Sequence, residues 1–165
     1  MTELTIEIRL ATDTDASAIA QVLLQSFAEY RSSYTDGGFS ATTPNAEQVR
    51  LRMSEGPVWV ALLDGEIVGT VAAMHEVEST YVRGMAVLPT ARGHRLGGLL
   101  LGECEAFAAT QNCSRLYLST TPFLNRAIAL YEHHGYERIP GSEHDLHGTP
   151  LFAMGKFIAG ALRNE

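Results

Sequence analysis

Apolar positions recur along the chain with two different periods. Ile6, Ile8 and Leu10 alternate with polar neighbours, the mark of a strand, and Thr12 or Asp13 then offers a cap to a helix. That helix carries Ala16, Ile19, Ala20, Leu23, Leu24 and Phe27 at helical spacing. The period is lost over residues 30–44, where Tyr, Ser, Thr, Gly and Asp predominate, so this stretch reads as a loop with aromatic residues in it. A second helix is predicted from about Asn45 to Ser54. Pro57 then leads into an apolar run over residues 58–63, and Asp64-Gly65 separates it from a second run over residues 67–73. Asp-Gly between two such runs is a strong hairpin signal. Residues 74–79, with His75, Glu76 and Glu78, read as the turn that feeds a central strand.

Residues 81–98 organise the rest, reading as strand, loop and helix. The β-type alternation of 81–87 ends at Pro89, which has no N–H to extend a ladder, and Leu96, Leu99, Leu100, Cys104, Phe107 and Ala108 then repeat at helical spacing. Gly93, Gly97 and Gly98 therefore fall at a helix N-terminus. The first N–H groups there lack intrahelical partners, the dipole end is positive, and glycines let a ligand come close to the backbone. The site suits an anion, phosphate above all. Neither familiar phosphate loop fits: Gly97-Gly98 is followed by Leu99, not Lys-Ser/Thr, and the spacing from Gly93 to Gly98 does not supply Gly-x-Gly-x-x-Gly.

Beyond the long helix, residues 115–120 form a further strand ended by Pro122, and Asn125 can cap a helix through Ala127, Ile128, Leu130 and Tyr131. Gly135 supplies a left-handed stop, Tyr136 starts a new strand, and a loop over residues 141–148 precedes the last strand, residues 150–156. Helices alternate with strands, so the class is α/β or α+β with a mixed sheet. Composition narrows function more than fold. At 165 residues and 45% hydrophobic content, the chain suits one domain over residues 1–165. Its apolar runs are too short to span a membrane and its polar, acidic start is no secretory signal, which implies a cytoplasmic protein. A net charge of −7 argues against nucleic acid and mildly favours a cationic partner such as an amine. Cys104 and Cys113 have neither metal-ligand spacing nor a disulfide framework and read as free thiols, and Cys113 has no evident histidine and acid partners. His144-Asp145-x-His147 lacks a third ligand at a recognisable interval, so no metal is expected, and His133-His134 reads as a complement to the helix dipole.

The glycine-rich turn resembles the acyl-CoA loop of the GNAT N-acetyltransferase superfamily, Arg/Gln-x-x-Gly-x-Gly/Ala, with Arg92 first and Gly97 last. Arg95 stands where the family usually has its middle glycine, so the turn must accept a side chain there. Asn125-x-Ala127-x-x-Leu130-Tyr131-Glu132-x-x-Gly135-Tyr136 resembles the superfamily's second signature, one strand later. The resemblance implies a mostly antiparallel mixed sheet, splayed at its centre and flanked by helices.

It also implies a chemistry: transfer of the acetyl group of acetyl-CoA, a co-substrate, to a primary amine by direct attack in a ternary complex. The acceptor would be a small molecule or a peptide amine. On this resemblance the diphosphate rests on main-chain N–H groups of Gly93, His94, Arg95, Leu96, Gly97 and Gly98 with Arg92 beside them, and Asn125 also binds the cofactor. The pantetheine arm runs along Met85, Ala86 and Val87, with Gly84 easing the strand's distortion. Tyr131 is then the general acid, while Glu78, or Glu76 beside it, takes the amine's proton. Tyr30 and Tyr34 in the aromatic loop, with Tyr81 on the central strand, are the expected acceptor contacts. Arg95 and Tyr81, which depart from the family pattern, favour one alternative, a non-catalytic acyl-CoA-binding or sensing module; a protein N-terminal or lysine acetyltransferase is a second alternative on the acceptor side. Exposed sheet edges leave a homodimer open.

Overall fold

The computed structural model describes residues 3–158, so the domain expected over residues 1–165 runs past the described residues at both ends. In chain order come β1 (Ile6–Leu10), α1 (Ala16–Phe27), α2 (Asp36–Thr42), α3 (Ala46–Glu55), β2 (Val58–Leu63), β3 (Glu66–His75) and β4 (Ser79–Val87). They are followed by α4 (Leu96–Thr110), β5 (Arg115–Thr120), α5 (Asn125–His133), β6 (Glu137–Arg138), β7 (His144–Leu146) and β8 (Thr149–Phe157). The sheet order is β1-β2-β3-β4-β5-β8-β6, with β7 paired to β8. Among the described residues only β4 and β5 run parallel, and every other pairing is antiparallel. This is the mixed, mostly antiparallel, helix-flanked sheet implied above.

The uninterrupted apolar run of β2 has a plain cause. Val58, Val60 and Leu62 point to one face, where α1 packs Ile19, Val22 and Leu23 and α3 adds Val49. Trp59 and Ala61 point to the other, against Leu96, Leu100, Leu101 and Cys104 of α4. A strand covered on both faces keeps no polar side. The β2–β3 turn takes left-handed φ at Asp64 (51°) and Gly65 (83°), the geometry that matches strand twist and that Asp-Gly adopts readily.

Between β4 and β5 the sheet opens. Their ladder holds only Ser79↔Arg115, Thr80↔Leu116 and Tyr81↔Tyr117, and beyond Tyr81 the strands part. The bend coincides with a register shift opposite Thr70 and Ala72 and with Gly84 at φ +62°, where a side chain would be strained. α5 lies over the opening, and Tyr131 is buried within it.

Three local expectations need correction. Residues 30–44 are not an open loop: a 3-10 turn (Ala28–Ser33) is followed by α2, capped by Thr35 Oγ1, which accepts from Gly38 N at 3.0 Å. Asp36-Gly37-Gly38 has poor helix propensity, but the glycines permit a tertiary contact that decides the matter, because a Cβ at Gly37 would stand 2.7 Å from His147 Cβ and one at Gly38 would overlap Thr149. Asn125 is the first residue of α5, not its cap; Leu124 holds the cap position and makes no side-chain bond. Within residues 141–148 lies β7, in a hairpin whose turn uses positive φ at His147 and Gly148.

Candidate active site

Two cavities flank the opening of the sheet. The first, about 800 Å³, lies between the end of β4, the start of α4 and α5. The strand contributes Met85, Ala86 and Val87, and the turn contributes Arg92, Gly93, Arg95, Leu96, Gly97 and Gly98. Arg95 takes φ 59° and ψ 22°, the left-handed conformation, at the cap position of α4, and it makes no side-chain cap bond. The first main-chain pairing in the helix is Leu99 N to the Arg95 carbonyl at 3.2 Å. The N–H groups before it are thus left for a ligand. Gly97 keeps α4 close to α5 and β4, since a Cβ there would stand 2.8 Å from Leu130 Cδ2 and 3.2 Å from Met85 Cε. Arg92 reaches across to Glu29, Nη2 to Oε1 at 2.6 Å, tying the turn to the 3-10 turn that follows α1.

The second cavity, about 370 Å³, lies beyond β4 and is closed by α2, α3, β5 and the β7 hairpin. Its walls are more polar. Arg52 of α3 and Arg83 of β4 face it from one side, and Ser119, Thr120, Thr121 and His144 from the other. Tyr34 packs edge-on to Phe123 at 4.9 Å between ring centres, and Tyr81 lies against Tyr117 at 5.0 Å. Burial pushes the Tyr34 hydroxyl up to about 12, so it stays protonated. Tyr131 lines both cavities, and burial first, then the neighbouring Cys104, holds its hydroxyl well above the usual phenol range.

The unmatched polar atoms gather here. Among the described residues, the buried side-chain polar atoms without a partner are Ser26 Oγ, Arg83 Nε, Thr120 Oγ1 and Thr121 Oγ1. Ser26 lines the first cavity and the other three line the second. Buried polar groups are almost always bonded, and leaving one unmet costs about 1–3 kcal/mol. Such a cluster marks surface shaped for a polar ligand.

The comparisons with known proteins bear on what that ligand is. A family model described as acetyltransferase (GNAT) family matches residues 21–136. The uncharacterized N-acetyltransferase YjgM of Escherichia coli (strain K12) is 36% identical over 138 residues, 80% of this chain and 82% of that protein. Human N-acetylaspartate synthetase is 32% identical over 114 residues, 68% of this chain but 38% of that longer protein. The chain belongs to the GNAT family of acetyltransferases. The GNAT fold is also that of the PaiA N-acetyltransferase from Thermoplasma acidophilum, solved in complex with coenzyme A. That structure has a TM-score of 0.74 at 16% identity and covers 93% of this chain and 99% of its own.

Within this GNAT fold the sequence-predicted residues separate. Met85, Ala86, Val87, Arg92, Gly93, Arg95, Leu96, Gly97 and Gly98 come together in the first cavity, whereas His94 and Asn125 line neither. Tyr34 and Tyr81 reach the second cavity, but Tyr30, expected beside them, lines the first. Glu78 is exposed on the turn between β3 and β4, its carbonyl accepting from Ser114 N, and it lines neither cavity. Glu76 instead accepts the Tyr117 hydroxyl at 2.6 Å.

Sequence reasoning missed Arg52 and Arg83 in the second cavity, and no local motif marks them, while His144, noted in the sequence as part of His144-Asp145-x-His147, also lines it. His133 and His134, read as dipole partners, line the first cavity, and burial lowers the His134 pKa, with His133 and Lys156 adding to the effect. Cys113 is not without a histidine, for its Sγ lies 3.3 Å from His75 Nδ1 and accepts from Thr80 Oγ1. That group lies outside both cavities. No group of three or more His, Cys, Asp or Glu gathers among the described residues, and none of their helices is long and apolar enough to cross a membrane.

Proposed function

We propose that the protein transfers the acetyl group of acetyl-CoA to a small primary amine by direct attack in a ternary complex. The observation that carries this reading is the position of Tyr131, whose side chain borders both cavities where β4 and β5 part. The first cavity suits the co-substrate. Its free N–H groups and Arg95 suit a diphosphate, and the main-chain groups of β4 beyond Tyr81, which have no partner on the β5 side, suit the amides of an extended arm. The second cavity then receives the amine.

The balance of the step assigns the remaining roles. The amine nitrogen bonds to the thioester carbon, the C–S bond breaks, the nitrogen loses a proton and the sulfur gains one. Tyr131 holds a proton beside the leaving sulfur, and its raised pKa keeps it a donor throughout the physiological range. An alkylammonium near pKa ~10.4 leaves only about one amine in a few thousand neutral at pH 7, so the nitrogen needs a proton acceptor. His144 meets that need. Its Nδ1 lies 2.8 Å from the Ser142 carbonyl, which only accepts, so Nδ1 carries the hydrogen. Nε2 is then left to accept, 3.4 Å from Ser119 Oγ, and both residues line the second cavity. This reading assigns the base to His144, where the sequence suggested Glu78. The two free, buried thiols, Cys104 and Cys113, accord with the reducing cytoplasm in which acetyl-CoA is used.

The test is release of CoA thiol and mass gain of an acetyl group across a panel of small amines and peptides. Expected are turnover of small amines and a slowing by ~10²-fold in His144→Gln, with Glu78→Gln close to the parent. Stabilisation of the fold by acetyl-CoA with no thiol released by any amine would instead identify a binding or sensing module. Acetylation of peptides alone would identify a protein acetyltransferase.

A further inference from the structure

The second cavity holds more positive charge than an amine acceptor calls for. Arg52 projects from α3 over the bend of β4, so close that a Cβ on Gly84 would stand 2.9 Å from its Nη1. Among the described residues its guanidinium makes no ion pair and no hydrogen bond. Burial, and then the like charge of Arg83, lowers its pKa. Arg83 is half matched: Nη2 meets Glu55 Oε1 at 2.5 Å, while Nε is buried with no partner. Across the cavity the hydroxyls of Thr120 and Thr121 are buried and unmatched as well.

A half-buried guanidinium that repels its neighbour and pairs directly with no carboxylate is costly, and fixed donors around it add to that cost. A planar anion relieves all of these at once, because arginine forks match carboxylates with two parallel hydrogen bonds. A bare ammonium would make matters worse. Neither carboxylate in view pairs with Arg52: Glu55 is engaged by Arg83, and Asp145, exposed on β7 across the cavity, accepts from Gly148 N at 2.7 Å.

We infer that the acceptor is an amino carboxylate, its carboxylate held by Arg52 and the Nε–H of Arg83 and its amine turned toward His144 and Tyr131. This deepens the acetyl-transfer reading and rests on it. The two ends of the acceptor would lie on opposite walls, arginines on the β4 side and His144 on the hairpin side. Such a site distinguishes an amino acid from its own carboxamide, which keeps the amino group and nearly the same shape but lacks the carboxylate charge.

The experiment compares thiol release for a panel of L-amino acids, each beside its carboxamide, in the full chain and in Arg52→Gln and Arg52→Lys. For the best acceptor, kcat/KM should favour the acid over the amide by ~10²-fold, through KM more than kcat. In Arg52→Gln that ratio should collapse toward one, and Arg52→Lys should restore part of it. Equal use of acid and amide, or loss of both by the same factor in Arg52→Gln, would overturn the inference. A chain that releases thiol with no amine at all fails as an acetyltransferase, and the carboxylate site is then read separately. N-acetyl amino acids should still raise the melting temperature more than their carboxamides in the parent and not in Arg52→Gln. Equal shifts for the two would sink the carboxylate site.

Discussion

The two cavities that meet at Tyr131 are built in opposite ways. The first is built around one contiguous stretch, the end of β4, the turn and the start of α4 within Met85 to Leu99, with glycines where side chains would block approach, and α1, the turn after it and α5 close it. The second is mostly side chains, drawn from α2, α3, β4, β5 and the β7 hairpin. Main-chain donors at a helix start are common to every sequence that can make the turn, so that cavity suits a constant ligand. Side chains converging from separate elements can change one at a time, so the other suits a ligand that differs between relatives.

Removing the single group shared by both cavities should have the largest effect. Tyr131→Phe keeps the ring and its packing beside Tyr136, 6.0 Å away between ring centres, so the fold should persist. Turnover should fall by ~10²-fold with KM for either substrate little changed, read by thiol release. The pH profile sharpens the assignment. Because burial raises the Tyr131 pKa, its ionisation should not depress the parent's rate between about pH 8 and 10, and an alkaline limb there that vanishes in Tyr131→Phe would break it.

Next in size is a change to one cavity alone. Gly97→Leu puts a side chain into the contact with Leu130 and Met85 and into the mouth of the first cavity. Overpacking of this kind costs about 1–3 kcal/mol of stability, and affinity for acetyl-CoA should fall well beyond what the amine site loses. Calorimetric titration with CoA checks it. Equal losses on both sides would mean that the cavities are not separable.

This contrast also governs what sequence alone reveals. The hairpin at Asp64-Gly65, the two-faced strand β2 and the turn from Arg92 to Gly98 are legible because each is decided by neighbours in the chain. α2 is not, because Gly37 and Gly38 weaken a helix locally and are present for closeness to His147 and Thr149, more than a hundred residues away. The same holds for the second cavity. Arg52 reads as an ordinary charge on a helix and His144 as part of a loop, and only the folded sheet brings them to one cavity. Glu78 errs in the other direction: it is near the central strand in sequence, but at the closed end of the β4–β5 pairing rather than the open one.

A change far from both cavities serves as a control. Asp15 is held by Arg9, Nη1 to Oδ2 at 2.8 Å, and accepts from Thr12 N at 2.8 Å, which lowers its pKa to about 2. A carboxyl with a folded pKa below its unfolded value stabilises the fold above the unfolded pKa, and the benefit is lost as pH falls through about 4 toward 2. Asp15→Asn should cost about 1–2 kcal/mol near neutral pH and flatten that acid limb in thermal melts, while KM for both substrates stays put.

The smallest effect expected is the most instructive about the first cavity. Arg95 occupies left-handed backbone, φ 59°, where a side chain costs roughly 1–2 kcal/mol over glycine. Arg95→Gly relieves that strain but frees the unfolded chain, which offsets about 0.4–1 kcal/mol. The net should be a stabilisation of ~0.5–1 kcal/mol, a rise of a few degrees at most in melting temperature. Yet the substitution also removes a cation from the wall where the diphosphate would rest. If Arg95 is kept for that charge, the variant should be more stable and bind CoA more weakly, with the loss shrinking as salt is raised; diphosphate-free thioesters should be affected less, and dephospho-CoA, which keeps the diphosphate, as much as CoA. A variant that is stabilised and binds CoA as well as the parent would show that the first cavity depends on main-chain donors alone.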